Sequence, residues 1–132
     1  MRPFIHKIVS EFYQKAVYDI LIGYHFRKFE DQVILAHHLE RITSFWEMQL
    51  MQSISIPLEK PFTLMYTHFQ LGLKNIGELN RWLLLFRETL ENNRKKTTNP
   101  DELEIIEYWK LKLNFFEQRF STMPGLFGNL KN

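Results

Sequence analysis

Cysteine is absent from this chain of 132 residues. Its absence excludes a disulfide framework, a thiolate nucleophile and a zinc site built on cysteine thiolates. A chain without disulfides needs no oxidising compartment, so we expect the protein in the cytoplasm. The opening segment also lacks the uninterrupted apolar run of a secretory signal, because His6, Lys7, Ser10 and Glu11 break it.

Long hydrophobic runs and a strong charge of either sign are missing as well. The longest purely apolar segments have five residues, such as Trp82 to Phe86, whereas a membrane-spanning helix needs about 20. The formal net charge of +2 favours neither nucleic acid nor a membrane surface as a partner. The basic run from Asn93 to Lys96 is interpreted as the solvated end of a helix, where cations interact favourably with the helix dipole.

Glycine and proline are also scarce, with five of each, and apolar residues recur at helical spacing along the chain. We therefore predict an all-α fold in a single domain, with a core over about residues 4–121 and a tail over 122–132. The four long helices are expected at about Phe4 to Ile22, Asp31 to Gln52, Glu78 to Asn92, and from Pro100 to about Phe120. Two antiparallel helix pairs would bury their apolar faces.

The apolar stripe of each predicted helix defines the expected core. The stripe of the first helix extends to Ile20 and Leu21, and Gly23 is expected to end this helix. The stripe of the second helix comprises Ile34, Leu35, His38, Ile42, Phe45 and Met48 or Gln49. The last two helices contribute Leu79, Trp82, Leu83, Phe86 and Leu90, then Leu103, Ile106, Trp109, Leu113, Phe116 and Phe120.

Two polar residues on these apolar faces are the first candidates for chemistry. Tyr13 and His38 both belong to predicted core faces, whereas His37 shares its face with Arg41 and Ser44. A buried imidazole requires a hydrogen bond or a metal ion, since an unpartnered one costs a few kcal/mol. One reading is that Tyr13 and His38 bond each other inside an ordinary core. Another is a polar pocket.

The order of several aromatic and histidine motifs narrows this choice. Along the chain come Phe12-Tyr13-x-Lys15, Gly23-x-x-Phe26, His38 seven residues before Phe45-Trp46, His68, and Arg81-Trp82-Leu83-x-Leu85-Phe86. This series, over about residues 8–120, resembles the truncated haemoglobins of group III. The paired-glycine motifs of other truncated groups are absent, which agrees with that group.

The resemblance implies a globin-like 2-on-2 helical sandwich that holds one haem b (iron protoporphyrin IX). It makes His68 the proximal iron ligand, and thereby the metal-binding residue. It places three residues on the distal side, where a gaseous ligand binds: Tyr13, His38 and Trp82. The remaining haem contacts that it implies are Phe26 stacked on the porphyrin, Arg41 near a propionate, and Phe45 and Phe86 within the matching motifs.

The sequence departs from the family pattern in the region before and after His68. The loop from Ser53 to Pro61 is longer than usual, and the residues that follow His68 lack the usual Leu-Pro stretch. The adjacent pair His37-His38 also leaves one alternative open, because a rotated helix would make His37 the distal residue.

The function implied by the resemblance is the binding of O2, NO or CO at a His-ligated haem. With a reductase as partner, NO detoxification or peroxide chemistry would also be open to it; neither nucleic acid nor a membrane is expected as a partner. Two other classes remain as alternatives. One is a haem-free helical scaffold or interaction protein, and the other is a non-haem enzyme that uses His38 and Tyr13 as an acid–base pair.

Overall fold

The structure, a computed structural model, describes residues 1–52 and 76–122. Within these two ranges it consists of α1 (Arg2–Ala16), a 3-10 helix (Gly23–Glu30), α2 (Gln32–Met51), α3 (Ile76–Lys96) and α4 (Pro100–Thr122). The prediction of an all-α fold is therefore confirmed. No helix in the two described ranges is long and apolar enough to span a bilayer. The loop from Ser53 to Pro61, His68 and the tail after residue 122 lie outside the described residues.

The first two long helices pack against each other in antiparallel fashion. Arg2, at the start of α1, bonds to Glu47 near the end of α2, whereas Tyr13, near the end of α1, contacts His38 in the first half of α2. The other face of α1 packs on α3. The 3-10 helix lies against α2, which brings its aromatic side chains close to the Tyr13–His38 contact.

The last two helices form a second antiparallel pair. Arg87 in α3 bonds to Glu117 in α4, and Glu91, one turn later in α3, is reached by Lys110, earlier in α4. Helix α4 also packs on α2, which closes the arrangement around a shared core. The largest fully buried side chains of α1, α3, α4 and the 3-10 helix include Phe12, Phe26, Phe86, Trp109 and Leu113.

The first helix ends earlier than predicted. It stops at Ala16 rather than near Ile22, and Ile20 and Leu21 are 92% and 56% exposed instead of belonging to the core stripe. The physical reason is Asp19, whose carboxylate accepts hydrogen bonds from the backbone N–H groups of Leu21 and Ile22 at 2.9 and 3.1 Å. A side chain that bonds to nearby backbone in this way competes with helical hydrogen bonding.

Gly23 consequently has a different structural role from the one predicted. It does not end α1 but begins the 3-10 helix, and its N–H donates to the carbonyl of Asp19 at 2.8 Å. A Cβ atom at this position would lie 2.8 Å from the carbonyl oxygen of Val17. Glycine is therefore required by the close approach of two backbone segments.

Helix α2 has nearly the predicted bounds. The Asp31 carboxylate caps its start by accepting from the N–H groups of Val33 and Ile34. Gln52, with φ of 57°, ends it in the left-handed conformation. Its buried face is displaced from the predicted one, because Ile34 and Met48 are exposed. The buried residues of α2 are His38, Leu39, Ile42, Thr43, Ser44, Phe45, Trp46, Glu47 and Leu50.

The predictions for the last two helices agree with the structure more closely. All five residues of the predicted α3 stripe are buried, although the helix continues to Lys96. The continuation places the basic run in the last turn, as interpreted from the sequence. Helix α4 begins at Pro100, and the side chain of Asn99 caps it by accepting from the N–H groups of Asp101 and Glu102.

Candidate functional site

A buried hydrogen bond joins the two polar candidates on α1 and α2. The Tyr13 hydroxyl lies 2.8 Å from Nε2 of His38, and both side chains are almost fully buried. The 3.6-residue period explains the placement, because Tyr13 shares the buried face of α1 with Val9 and Ala16. His37, about 100° away around α2, is exposed, so it is His38 that faces Tyr13.

Burial keeps both members of this pair uncharged. It raises the pKa of the Tyr13 hydroxyl far above its usual range. Burial also lowers the pKa of His38 to about 3, with further contributions from the positive charges of Lys28 and Arg41 and from His37. At neutral pH the site thus holds a neutral phenol and a neutral imidazole. One of the two groups donates the hydrogen bond and the other accepts it.

Aromatic side chains of the 3-10 helix cover this pair. The rings of Phe26 and Phe29 meet the Tyr13 ring edge-on, with centroids 5.6 and 5.5 Å away. Phe29 also stacks on the imidazole of His38 at 4.3 Å. Edge-on and offset ring contacts of this kind are the favourable geometries for aromatic pairs. The hydrogen bond is therefore enclosed by hydrocarbon.

Phe29 was not among the residues predicted for the site. Its signal is the spacing from Phe26, since residues three apart lie on the same side of a 3-10 helix with three residues per turn. The sequence prediction used the α-helical period, which does not place Phe26 and Phe29 in a shared 3-10 helix. Assignment of a 3-10 helix there would have placed both phenylalanines on one face.

Trp82 is linked to Tyr13 through the ring of Phe12, which contacts both. The Phe12 ring contacts Tyr13 at 5.4 Å and Trp82 at 5.6 Å between centroids. The indole Nε1 of Trp82 is buried and has no hydrogen-bond partner among the described residues. An unsatisfied buried donor costs about 1–3 kcal/mol, which a polar ligand within reach would recover.

The other predicted contacts are distributed over a wider aromatic core. Phe86 packs against Phe12 and Trp82. Phe45 packs instead against Trp46, whose ring lies 5.3 Å away, on the side of α2 that faces α4. These contacts make Phe86 a neighbour of the Tyr13 region, whereas the contacts of Phe45 with Trp46 lie toward α4.

Arg41 and His68 complete the predicted set. Arg41 is half-buried on α2, one turn after His38, and its charge helps to lower the pKa of that imidazole. His68 lies outside the described residues, as does the longer loop that precedes it. Within residues 1–52 and 76–122, no cluster of three His, Asp or Glu side chains could hold a metal ion.

Comparison of this chain with protein-family models, with curated proteins and with solved structures found no match.

Proposed function

We propose that this protein is a haem-binding globin with a 2-on-2 helical arrangement, similar to the group III truncated haemoglobins. The observation that carries the proposal is the neutral, buried hydrogen bond between Tyr13 and His38 under the rings of the 3-10 helix. The indole N–H of Trp82, which has no partner among the described residues, and the order of motifs along the sequence give it further support.

The residues that the resemblance assigns to the haem would hold such a group. His68 would ligate the iron, Phe26, Phe45 and Phe86 would contact the porphyrin, and Arg41 would stand near a propionate. A haem with one histidine ligand supplies an open coordination position for a diatomic molecule such as O2, NO or CO. The chain's own part is to enclose that molecule, exclude water and provide hydrogen-bond donors.

The tautomer of His38 decides whether Tyr13 can act as a donor. A phenol has a single O–H proton. If Nε2 of His38 carries its proton and donates to the Tyr13 oxygen, the phenolic proton remains available for a ligand. If the proton sits on the other ring nitrogen, Nε2 accepts the phenolic proton instead. Ligand stabilisation by Tyr13 therefore requires the tautomer with the proton on Nε2 of His38.

The enclosure of the site makes such donors effective. Hydrogen bonds to a charged acceptor contribute about 1.5–3 kcal/mol each, and a factor of ten in rate corresponds to about 1.4 kcal/mol. One good bond from Tyr13 would thus slow the release of O2 by about one to two decades, and a weaker one from the Trp82 indole would add to this effect. Slow release suits redox chemistry on NO or peroxide with a reductase better than it suits O2 transport.

The absorption spectrum of the protein as isolated, then after reduction and CO addition, tests the proposal directly. We expect a haem spectrum that shifts with CO, and a higher melting temperature for the haem-loaded sample. Ligand binding at a thousandfold excess over Kd stabilises a fold by about 4 kcal/mol. A protein that takes up no haem, or that melts at the same temperature with and without it, would favour a haem-free helical scaffold.

His68→Ala tests the proximal side. We expect this variant to lose most of its haem affinity and to recover part of it when imidazole is added, because free imidazole fills the vacated coordination position. His37→Ala is the control, since His37 is exposed on α2. An unchanged ferrous spectrum for His68→Ala, with loss of haem in His38→Ala, would reverse the two sides.

The alternative of a non-haem acid–base pair receives less support. A general acid or base is most effective when its pKa lies near the working pH. Burial lowers the pKa of His38 to about 3 and raises that of Tyr13 well above its usual range. Both groups are thereby poorly suited to exchange protons with a substrate at neutral pH.

A further inference from the structure

A second cluster of tyrosine, histidine and carboxylate lies where the 3-10 helix meets the start of α3. The Tyr24 hydroxyl donates to Oε2 of Glu78 at 2.6 Å, and Nε2 of His25 lies 2.6 Å from the same oxygen. The rings of Tyr24 and His25 are in contact, with centroids 3.9 Å apart. The side chains of His25 and Glu78 are only 8% and 10% exposed.

This cluster joins the two elements that flank the Tyr13 region. His25 immediately precedes Phe26, whose ring covers Tyr13. Glu78 lies one helical turn before Trp82 on the same side of α3, and both residues are buried. A displacement of Glu78 relative to His25 would therefore move the 3-10 helix with respect to α3, and with it the cover over the Tyr13–His38 hydrogen bond.

We infer that Glu78 is a positioning residue, which acts through His25 and Tyr24 to hold Phe26 and Phe29 over the Tyr13–His38 hydrogen bond. Its consequence for ligand release rests on the proposed haem function. Glu78 itself touches neither Tyr13 nor His38 through any hydrogen bond or ring contact among the described residues.

The strength and the range of these contacts support the role. Hydrogen bonds to an ionised carboxylate are shorter and roughly twice as strong as neutral ones, and low exposure protects them from competition by water. The contact between His25 and Glu78 spans 53 residues of sequence, so it restrains tertiary structure rather than a local turn. The first turn of α3 also favours a negative charge at Glu78 through the helix dipole.

A neighbouring ion pair provides a matched control. Arg81 in α3 donates from its Nε to Oδ2 of Asp19 at 2.8 Å, and its Nη2 lies 2.7 Å from the same oxygen. This pair ties α3 to the turn that follows α1, not to the aromatic face of the 3-10 helix. Both contacts thus join α3 to nearby parts of the chain. Only the contact between Glu78 and His25 involves the 3-10 helix, whose rings cover the Tyr13–His38 hydrogen bond.

The test compares Glu78→Ala, Glu78→Gln and Arg81→Gln by NMR on the protein as isolated. The hydroxyl proton of Tyr13 and the ring nitrogens of His38 are observed, with assignment by Tyr13→Phe. We expect Glu78→Ala to shift or broaden these signals. Glu78→Gln should largely restore them, because its amide can still accept from His25. Arg81→Gln should lower the melting temperature but leave the signals in place.

A substitution with less effect on packing guards against a failure of Glu78→Ala to fold. His25→Phe keeps a ring against Tyr24 but removes the hydrogen bond to Glu78, and it should disturb the same signals. Equal losses of melting temperature in Glu78→Ala and Arg81→Gln, with the Tyr13 and His38 signals unchanged in His25→Phe, would overturn the inference.

Ligand kinetics add the functional readout. In the haem-loaded protein we expect Glu78→Ala and His25→Phe to speed O2 dissociation about threefold or more, a fraction of the loss of one hydrogen bond to a charged acceptor. Arg81→Gln should match the wild type. If neither the wild type nor any variant binds haem, the proposed function fails. The NMR comparison still decides whether Glu78 positions the rings over Tyr13 and His38.

Discussion

The Tyr13–His38 pair is buried among phenylalanine rings with no carboxylate of the described residues bonded to it, whereas Tyr24 and His25 share the carboxylate of Glu78. The two regions use the same two residue types under opposite electrostatic conditions. Burial lowers the pKa of His38 to about 3, and the hydrogen bond to Glu78 raises the pKa of Tyr24. A carboxylate strengthens a structural contact. Without one, Tyr13 and His38 stay neutral, and either of them can be the donor of their hydrogen bond.

The largest expected effect concerns acid stability, which separates His38 from its exposed neighbour. The folded-state pKa of His38, about 3, lies below the usual value of 6.5. The unfolded state therefore binds a proton first, and the stability of the fold declines as the pH falls from about 6.5 toward 3. In that window the protonation of His38 lowers the free energy of unfolding by roughly 1 kcal/mol for each pH unit of decrease. Above that window His38 adds no pH dependence.

Denaturant unfolding of the wild type, His38→Gln and His37→Gln over this pH range measures the contribution. His38→Gln, whose amide can still bond to Tyr13, should flatten the pH profile relative to the wild type. His37→Gln should retain the wild-type slope. Equal slopes in all three proteins would mean that His38 is not held in its neutral form by burial.

The next effect concerns the Tyr13 hydroxyl itself. In the haem-loaded protein Tyr13→Phe should speed O2 dissociation at least about tenfold, the effect of losing one hydrogen bond to a charged acceptor. Tyr18→Phe is the control, because Tyr18 is 81% exposed. Stopped-flow measurement of O2 dissociation from the wild type and both variants tests this expectation. Fast release in the wild type that Tyr13→Phe leaves unchanged would return O2 transport or storage to first place.

The smallest effect compares two buried tryptophans whose indole N–H groups both lack a partner among the described residues, Trp82 and Trp109. Trp82 lies next to Phe12, whereas Trp109 packs between Trp46 and Phe86 deeper in the core. We expect Trp82→Phe to change the O2 dissociation rate about threefold, less than one full hydrogen bond. Trp109→Phe should lower the melting temperature and leave that rate alone. Equal rates in the two variants would remove Trp82 from the set of donors.

The helices were predictable where local signals agreed with packing. The starts predicted for α2 and α4 coincide with Asp31 and Asn99, whose side chains cap these helices. The end of α1 was not predictable from periodicity, because Ile20 and Leu21 continue the apolar spacing. Only the hydrogen bonds of Asp19 to the backbone show why the helix stops before them.

The candidate site was predictable to a similar degree. The inward placement of Tyr13 and His38 follows from helical spacing on α1 and α2. The role of Glu78 could not be read in this way, since an acid in the first turn of a helix is equally expected from the helix dipole alone. Its contact with His25 depends on how distant parts of the chain come together, which a local pattern does not encode.

The turn after α1 also has a consequence for the order of folding. The hydrogen bonds of Asp19 to Leu21 and Ile22 span two and three residues, whereas its contact with Arg81 spans 62. Closing a long loop costs more chain entropy than closing a short one, and distant contacts form later on average. We expect the turn to form early around the Asp19 carboxylate, so that α3 packs against a turn that is already folded.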